Sequence, residues 1–436
     1  MTIIPGYSQD SLKLKKDTST VKNAGENEKI SFTIGGEFRS RFELRNGYRT
    51  LAPDDTSVAF FGNMRTRLNL DFKSKWVNAH ISLQDAREYG EYSEQFKNGT
   101  VGLFEGYAEV PIVKGFSVKV GRQRIIFDNQ RLFAENNWRV WARSHDAVKF
   151  SYKNDKTQAD AIIAFNQNAE NNFGTIYTPT SSFANGDYKL LSVFAIKQTL
   201  GKGFSFLILH AGDAFESAIA DEKKKLKLRL TDGGRIEWQD KSIYLTTSAY
   251  IQYGKTPNDQ KILSWYIQPE IKLTAIKKTT FRLGAEVFSG QDAGDSLNNP
   301  KYKSFVPLYG VAHRFNGAMD HFTRFPADVK NRGLINPYLF IDFRLNDKIA
   351  FSEQAHWFFT QQNLYNKAGK LSKNLGFESD LLFNYNPNKI IGLEVGYCFF
   401  IPTESEKFLK GTDTHKFNQW AYVQLSVKTD FWKFSK

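Results

Sequence analysis

Five arginines at alternating positions offer the clearest chemistry in this chain. Arg39, Arg41 and Arg45 lie in one stretch and Arg65 and Arg67 in the next, all on the polar parity of an apolar/polar alternation. A guanidinium holds its charge and presents a planar fork of donors suited to carboxylates. A ladder of them on neighbouring strands would draw anions by a field that low-dielectric walls focus. Carboxylates share the same faces: Glu37, Glu43, Asp71, Glu105, Glu109, Glu270, Glu286, Asp342 and Glu394. Two readings therefore stand side by side: a self-neutralising surface whose charges pair off and stiffen a wall, or an anion-selective path.

Other residue pairs could do different chemistry. His80 and Ser82 share a parity, as a nucleophile and its base would, but same-face neighbours on one strand do not aim at each other and no third member is identifiable. A barrel hydrolase stays as a competing reading; no catalytic residue is expected. His313 and Asp320 resemble a metal or catalytic pair, yet one histidine and one carboxylate in a Gly-rich loop read as a loop-folding network. The 7 histidines are scattered, so neither a metal nor a cofactor is expected.

These residues need strands to hold them. In the stretch 31–45, Phe32, Ile34, Phe38, Phe42 and Leu44 fall on one parity and Glu37, Arg39, Arg41, Glu43 and Arg45 on the other. Period two is that of a strand with one greasy and one charged face. The helical spacing of three and four is absent. Eighteen such stretches are expected, at 31–45, 60–74, 76–88, 101–113, 115–125, 144–154, 157–167, 187–199, 203–214, 225–238, 242–254, 263–276, 279–289, 334–346, 348–360, 373–386, 388–400 and 417–431. The gaps alternate, one long and one short, and the short ones hold turn formers such as Lys114-Gly115, Asn154-Asp155-Lys156 and Asn386-Pro387-Asn388. Eight tight turns and nine longer loops are what an eighteen-strand barrel with both termini on one side requires. The expected fold is all-β: a transmembrane antiparallel up-and-down β-barrel with short periplasmic turns and long extracellular loops.

Composition alone hides this architecture. A mean hydropathy of −0.47 and 24% charged residues look soluble, and no run reaches the length of a membrane helix. A barrel escapes that test because only alternate residues meet lipid. The 38 Phe and 19 Tyr suit lipid-facing bands and interfacial girdles. One cysteine, Cys398, excludes an intramolecular disulfide framework and reads as a small residue within a strand. Residues 1–9 read as the remnant of a signal peptide and 10–30 as a flexible polar tail, with the barrel over 31–436. The net charge of +13 divides by type: lysines crowd the turns, the tail and Lys223 to Lys225, whereas arginines take strand positions. No compact basic and aromatic patch remains for nucleic acid.

The alternation breaks in two places. Val77, Ala79, Ile81 and Leu83 face lipid, and strict parity would send Asp85 and Arg87 outward with them; Arg122 and Arg124 raise the same problem after Phe116, Val118 and Val120. Charge on the lipid face is costly, so a bulge or a position above the membrane is expected. Here a likeness emerges. Asp85-Ala86-Arg87, Gly121-Arg122-Gln123, Asp128-Asn129-Gln130-Arg131, Asn137-Trp138, and Arg143 with Asp146 resemble the core of the alginate-export family of outer-membrane porins. A second block, Pro307-Leu308-Tyr309-Gly310, His313, Gly317 and Met319-Asp320 with Phe322, resembles that family's long-loop signature.

The resemblance implies a monomeric channel in the outer membrane of a Gram-negative bacterium, with an arginine-lined conduit for anionic small molecules or an acidic polysaccharide. By position it makes Arg122, Arg124, Arg131 and Arg143 lumen or constriction candidates, with Asp85 and Asp146 as their counter-charges; Arg87 is a further candidate for the path, and Glu105 and Glu109 of the polar faces are further counter-charges. The loop 290–333 is too long for an idle connection and carries Phe305, Tyr309, Phe315 and Phe322. It is expected to fold into the lumen or over the mouth as a constriction or lid. The alternative is that it docks a surface or periplasmic protein, which would make the barrel a platform or a subunit of a larger assembly.

Overall fold

The computed structural model describes residues 30–91, 101–177, 183, 188–222, 225–276, 278–292, 294 and 300–436. The proposed signal remnant and all of the tail except Ile30 lie outside the described residues. So do Lys223 and Lys224 of the lysine run.

Eighteen strands form a closed antiparallel barrel. They are β1 (Ser31–Asn46), β2 (Ala59–Lys73), β3 (Asn78–Glu88), β4 (Gly102–Val113), β5 (Phe116–Gln123), β6 (His145–Lys153), β7 (Thr157–Phe165), β8 (Leu190–Gly201), β9 (Phe204–Glu216), β10 (Leu226–Gln239), β11 (Ile243–Lys255), β12 (Lys261–Ile276), β13 (Thr279–Phe288), β14 (Leu334–Arg344), β15 (Ile349–Thr360), β16 (Asn374–Tyr385), β17 (Ile391–Pro402) and β18 (Asn418–Ser435). Each pairs with its neighbours in sequence, and β1 pairs with β18 to close the ring. Closure leaves no open edge, which is what lets polar backbone cross a membrane. The seam is finished by reciprocal hydrogen bonds between Ile30 and Lys436, 3.0 and 2.9 Å.

Every strand overlaps the stretch expected from alternation; the differences are at the ends. β18 runs to Ser435 rather than 431, because Phe434 pairs with Phe32 across the seam and Trp432 packs edge-on against the Phe32 ring. Among the described residues, the long loops also hold short elements with no counterpart in the alternation: a hairpin of Leu364–Asn366 with Gly369–Leu371, a two-residue strand at Lys301–Tyr302 parallel to β12, single 3-10 turns at Ala220–Glu222 and Ala327–Val329, and the α-helix α1 (Glu404–Lys410). That helix is ended by Gly411 in the left-handed region, φ 67°.

Burial follows the parity. In β11 the side chains of Tyr244, Thr246, Ser248, Tyr250 and Gln252 are buried, while Ile243, Leu245 and Ile251 are exposed. A surface that displays its aliphatic residues and hides its polar ones is built for lipid outside and protein inside. No helix among the described residues is long and apolar enough to cross a membrane. The core lies inside the barrel at the long-loop end, where inward residues such as Leu191, Leu209, Tyr266, Phe288, Phe358 and Trp420 pack against loop residues Ile125, Phe133, Phe305, Tyr309 and Phe322.

Candidate functional site

The described residues of 47–58 between β1 and β2, 124–144 between β5 and β6, and 289–333 between β13 and β14 pack into the loop end of the barrel, joined in the same core by Tyr188, Leu364, Leu371 and Leu409 from other loops. Inward polar side chains of the wall hold each of the three segments. Alternation explains why those side chains point inward: polar groups share one parity, so every strand aims its hydrogen-bonding residues at the lumen.

The arginines of β1 and β2 meet the 124–144 segment. Arg39 donates to the carbonyls of Asn137 (2.6 Å) and Arg139 (2.8 Å), and Arg41 to that of Trp138 (3.1 Å) with its guanidinium 3.9 Å over the Trp138 ring. Arg65 is paired with Glu37 and reaches the carbonyls of Asn137 and Val140 at its limit, 3.4 and 3.5 Å. Arg67 donates to Gln84 (2.8 Å) and lies 3.8 Å over Phe104. Arg45 and Arg41 share Glu43, at 2.7 and 2.8 Å. Arg39, Arg41, Arg65 and Arg67 are thus brought together and buried, with Glu37, Glu43, Glu394 and Glu135 as their nearby carboxylates.

The remaining candidates divide by side of the wall. Arg124 bridges Glu105 (2.8 Å) and Glu135 (2.6 Å), tying its loop to β4. Glu109 faces inward nearer the turns, taking Ser117 at 2.7 Å and Lys119 at 3.4 Å. Arg131 is fully buried and forks onto Glu286 of β13 at 2.7 and 3.3 Å; it also donates to Val311 O (3.0 Å) and Asn316 Oδ1 (2.9 Å) in the long loop. Arg143 donates to the Tyr309 carbonyl. Arg122 and Asp146, by contrast, pair at 2.9 Å on the outward parity, and so do Arg87 and Asp85 at 3.2 Å. The register of β2 with β3 is unbroken from Asn63↔Glu88 to Lys73↔Asn78, so Asp85 and Arg87 keep the outward phase of Ile81. The irregularity lies one strand on, between Ser82 and Leu83 against β4. All four outward charges sit at the long-loop ends of their strands.

The long loop is seated by wall residues that motif reading does not single out. Glu378 and Asp380 of β16 accept the backbone N–H groups of Met319 (2.7 Å) and Ala318 (2.9 Å). Asp213 of β9 accepts the Tyr309 hydroxyl at 2.7 Å, and Asn336 of β14 donates to Phe315 O at 2.7 Å. Gly317 has φ +80°, and a Cβ there would run into the Glu378 carboxylate. A signal did exist in the sequence: carboxylates on the inward parity near the loop ends of strands, opposite a Gly-rich segment.

His313 and Asp320 lie inside this seat. Asp320 receives His313 Nδ1 (2.7 Å), the Tyr48 hydroxyl and Arg49 (3.5 Å). Burial pushes its carboxyl up, but His313, Tyr48 and Arg49 outweigh that and hold it below the ordinary range. The His313 ring stacks on Trp138, centroids 4.2 Å apart, linking the two loops. Among the described residues no group of three or more His, Cys, Asp or Glu could hold a metal ion. A recess of about 440 Å³ remains between the loop ends of β3 and β4 and the 124–144 segment, lined by Gln84, Arg122, Arg139, Trp141, Arg143 and Ser144 among others.

Comparison with known proteins agrees with this architecture. The family described as alginate export matches residues 31–416. Among solved structures, Acinetobacter baumannii OccAB1 superposes with a TM-score of 0.61 at 8% identity, covering 92% of this chain and 97% of its own. Pseudomonas aeruginosa OccK3 (OpdO) gives 0.59 at 12% identity, covering 92% and 96%. Pseudomonas aeruginosa OpdK, solved with vanillate, gives 0.59 at 8%, covering 91% and 99%. No curated protein matches the sequence.

Proposed function

The chain belongs to the alginate export family, and on that premise we propose that its barrel, a porin-type channel of the bacterial outer membrane, passes anionic solutes. Acidic oligosaccharides or polysaccharides are the class in view, and a Gram-negative cell the setting. One observation carries this reading: four inward guanidiniums, Arg39, Arg41, Arg65 and Arg67, gather where the loops narrow the lumen. Low-dielectric walls focus the field of such a cluster. Vanillate, present in the OpdK structure, is a small carboxylate.

The long loop acts as the constriction in this scheme. Its aromatic residues are turned inward and buried rather than offered to an outside partner, which favours a pore-narrowing role over a docking platform.

Reversal potentials across planar bilayers under a salt gradient test the proposal. Anion preference is expected, and it should be reduced in Arg65→Gln/Arg67→Gln. Cation preference in the parent channel would overturn it.

A further inference from the structure

The turn end of the barrel carries charge of one sign. Each of the eight tight turns, from the β2–β3 turn with Lys75 round to the β16–β17 turn with Lys389, holds an exposed lysine. Against these lysines, the described residues of the turns supply three carboxylates, Asp155, Asp240 and Asp347. The Lys278 ammonium donates to the Leu345 carbonyl at 2.8 Å, and that of Lys75 lies 4.7 Å from the centre of the Trp76 ring. The side chains of Lys114, Lys156, Lys202, Lys241, Lys348 and Lys389 make no ion pair or hydrogen bond among the described residues.

The outward charges at the loop end are arranged differently. There Arg122 is paired with Asp146 and Arg87 with Asp85, so cation and anion come from the same wall. At the turn end the counter-charge comes from outside the chain. The N-terminal tail does not bring it, since residues 10–30 hold five lysines against four carboxylates. The lysine ring also lies close to the hydrocarbon. Exposed apolar side chains stand next to it in the chain: Trp76 by Lys75, Val113 by Lys114, Leu200 near Lys202 and Ile390 by Lys389. The aromatic pairs Phe204–Trp238 and Trp432–Phe434 lie at the same end, as residues of a membrane–water interface do. A lysine stem can lie along such apolar surface while its ammonium reaches the headgroups.

We propose that this ring binds the phosphodiester headgroups of anionic phospholipids in the leaflet on the turn side. Charge complementarity selects that occupant. An ammonium is a compact point charge with three donors, suited to phosphate oxygens, and the ring sets these charges around the wall at the depth where the phosphates lie. A zwitterionic lipid carries the same phosphate, but its own cation opposes the attraction. The effect is confined to the first shell of lipid, because salt screens it within a Debye length. Contacts all round the rim would hold the turn end at headgroup level and keep the barrel from tilting. None of these lysines belongs to the motifs that carry the family resemblance, and the inference does not depend on what the lumen passes.

Quenching by labelled lipid at single sites of the full chain tests it. Cys398 is buried, so an introduced thiol carries the fluorophore. Leu200→Cys lies beside the turns that hold Lys156, Lys202 and Lys241, and Ile401→Cys is an exposed control at the loop end of β17. In low-salt vesicles, nitroxide-labelled phosphatidylglycerol should quench the Leu200→Cys probe at least about three times as strongly as phosphatidylcholine with the same label. The two lipids should quench the Ile401→Cys probe about equally. Adding Lys156→Gln/Lys202→Gln/Lys241→Gln to Leu200→Cys should abolish the preference, and Lys156→Arg/Lys202→Arg/Lys241→Arg should keep it, which separates loss of charge from loss of folding. Equal quenching at Leu200→Cys, a preference that survives the three glutamines, or an equal preference at Ile401→Cys would overturn the proposal. So would a Leu200→Cys probe indifferent to lipid but shifted by added polygalacturonate, which would give the ring to an acidic solute.

Discussion

Replacing Arg131 by Met should unseat the loops from the lumen. The guanidinium is fully buried and makes four hydrogen bonds: two to Glu286 on the wall, one to Val311 O and one to Asn316. Methionine matches much of the volume but leaves the Glu286 carboxylate facing loop backbone without its cation. Breaking one partner of a buried pair costs about 3–5 kcal/mol, most of it the uncompensated charge. At about 1.4 kcal/mol per factor of ten, the unseated population rises by roughly two to three and a half orders of magnitude. The Arg131→Met/Glu286→Leu double variant removes both charges and should recover most of that loss. Single-channel recordings are the assay: Arg131→Met should show larger or flickering conductance, and the double variant should return towards the parent level. Parent-like traces from Arg131→Met would refute the claim that this ion pair seats the loop. A double variant as open as the single one would refute the claim that the orphaned charge is the cause.

Two further outcomes are expected. Gly317→Ala combines a left-handed backbone with a methyl group driven into the Glu378 carboxylate; a loss of about 1–3 kcal/mol in the loop's seating should appear as faster protease cleavage between Gly310 and Gly333. Burial, with Asp328 adding to it and Lys410 opposing, raises the Glu406 carboxyl in α1 from 4.5 to about 8. Its neutral form therefore stabilises the β17–β18 loop fully below pH 4.5, and that contribution, on the order of a few kcal/mol, is lost as pH rises to about 8. Hydrogen exchange of residues 403–417 should rise over that window, and Glu406→Gln should flatten the dependence.

The barrel was legible because its rule is local. In β1 and β2 each residue's side of the wall follows from its parity, and the turns at Lys114-Gly115 or Asn386-Pro387-Asn388 need only their own residue types. The same rule sends Asp85, Arg87, Arg122 and Arg124 outward; the structure has the first three there, whereas Arg124, one residue beyond β5, turns to Glu105 and Glu135. The seating of the loops could not be read this way. Arg131 finds Glu286 across 155 residues, and Tyr309 finds Asp213 across 96, through segments with no periodicity. Their partners are chosen by where the closed wall holds its inward acids, a three-dimensional fact.

The seam between β1 and β18 joins the first described residue to the last, Ile30 to Lys436. Until that join is made the sheet has two raw edges, and each carries unpaired amide and carbonyl groups that a bilayer cannot solvate. A partial chain therefore has no stable resting place in the membrane, however many of its strands are already paired. The wall acids that seat the loops stand on strands as far apart as β9, β13 and β16, so they reach their final positions when the ring shuts. Opening and obstruction are thus born together: the act that creates the conduit also furnishes the sockets for what narrows it.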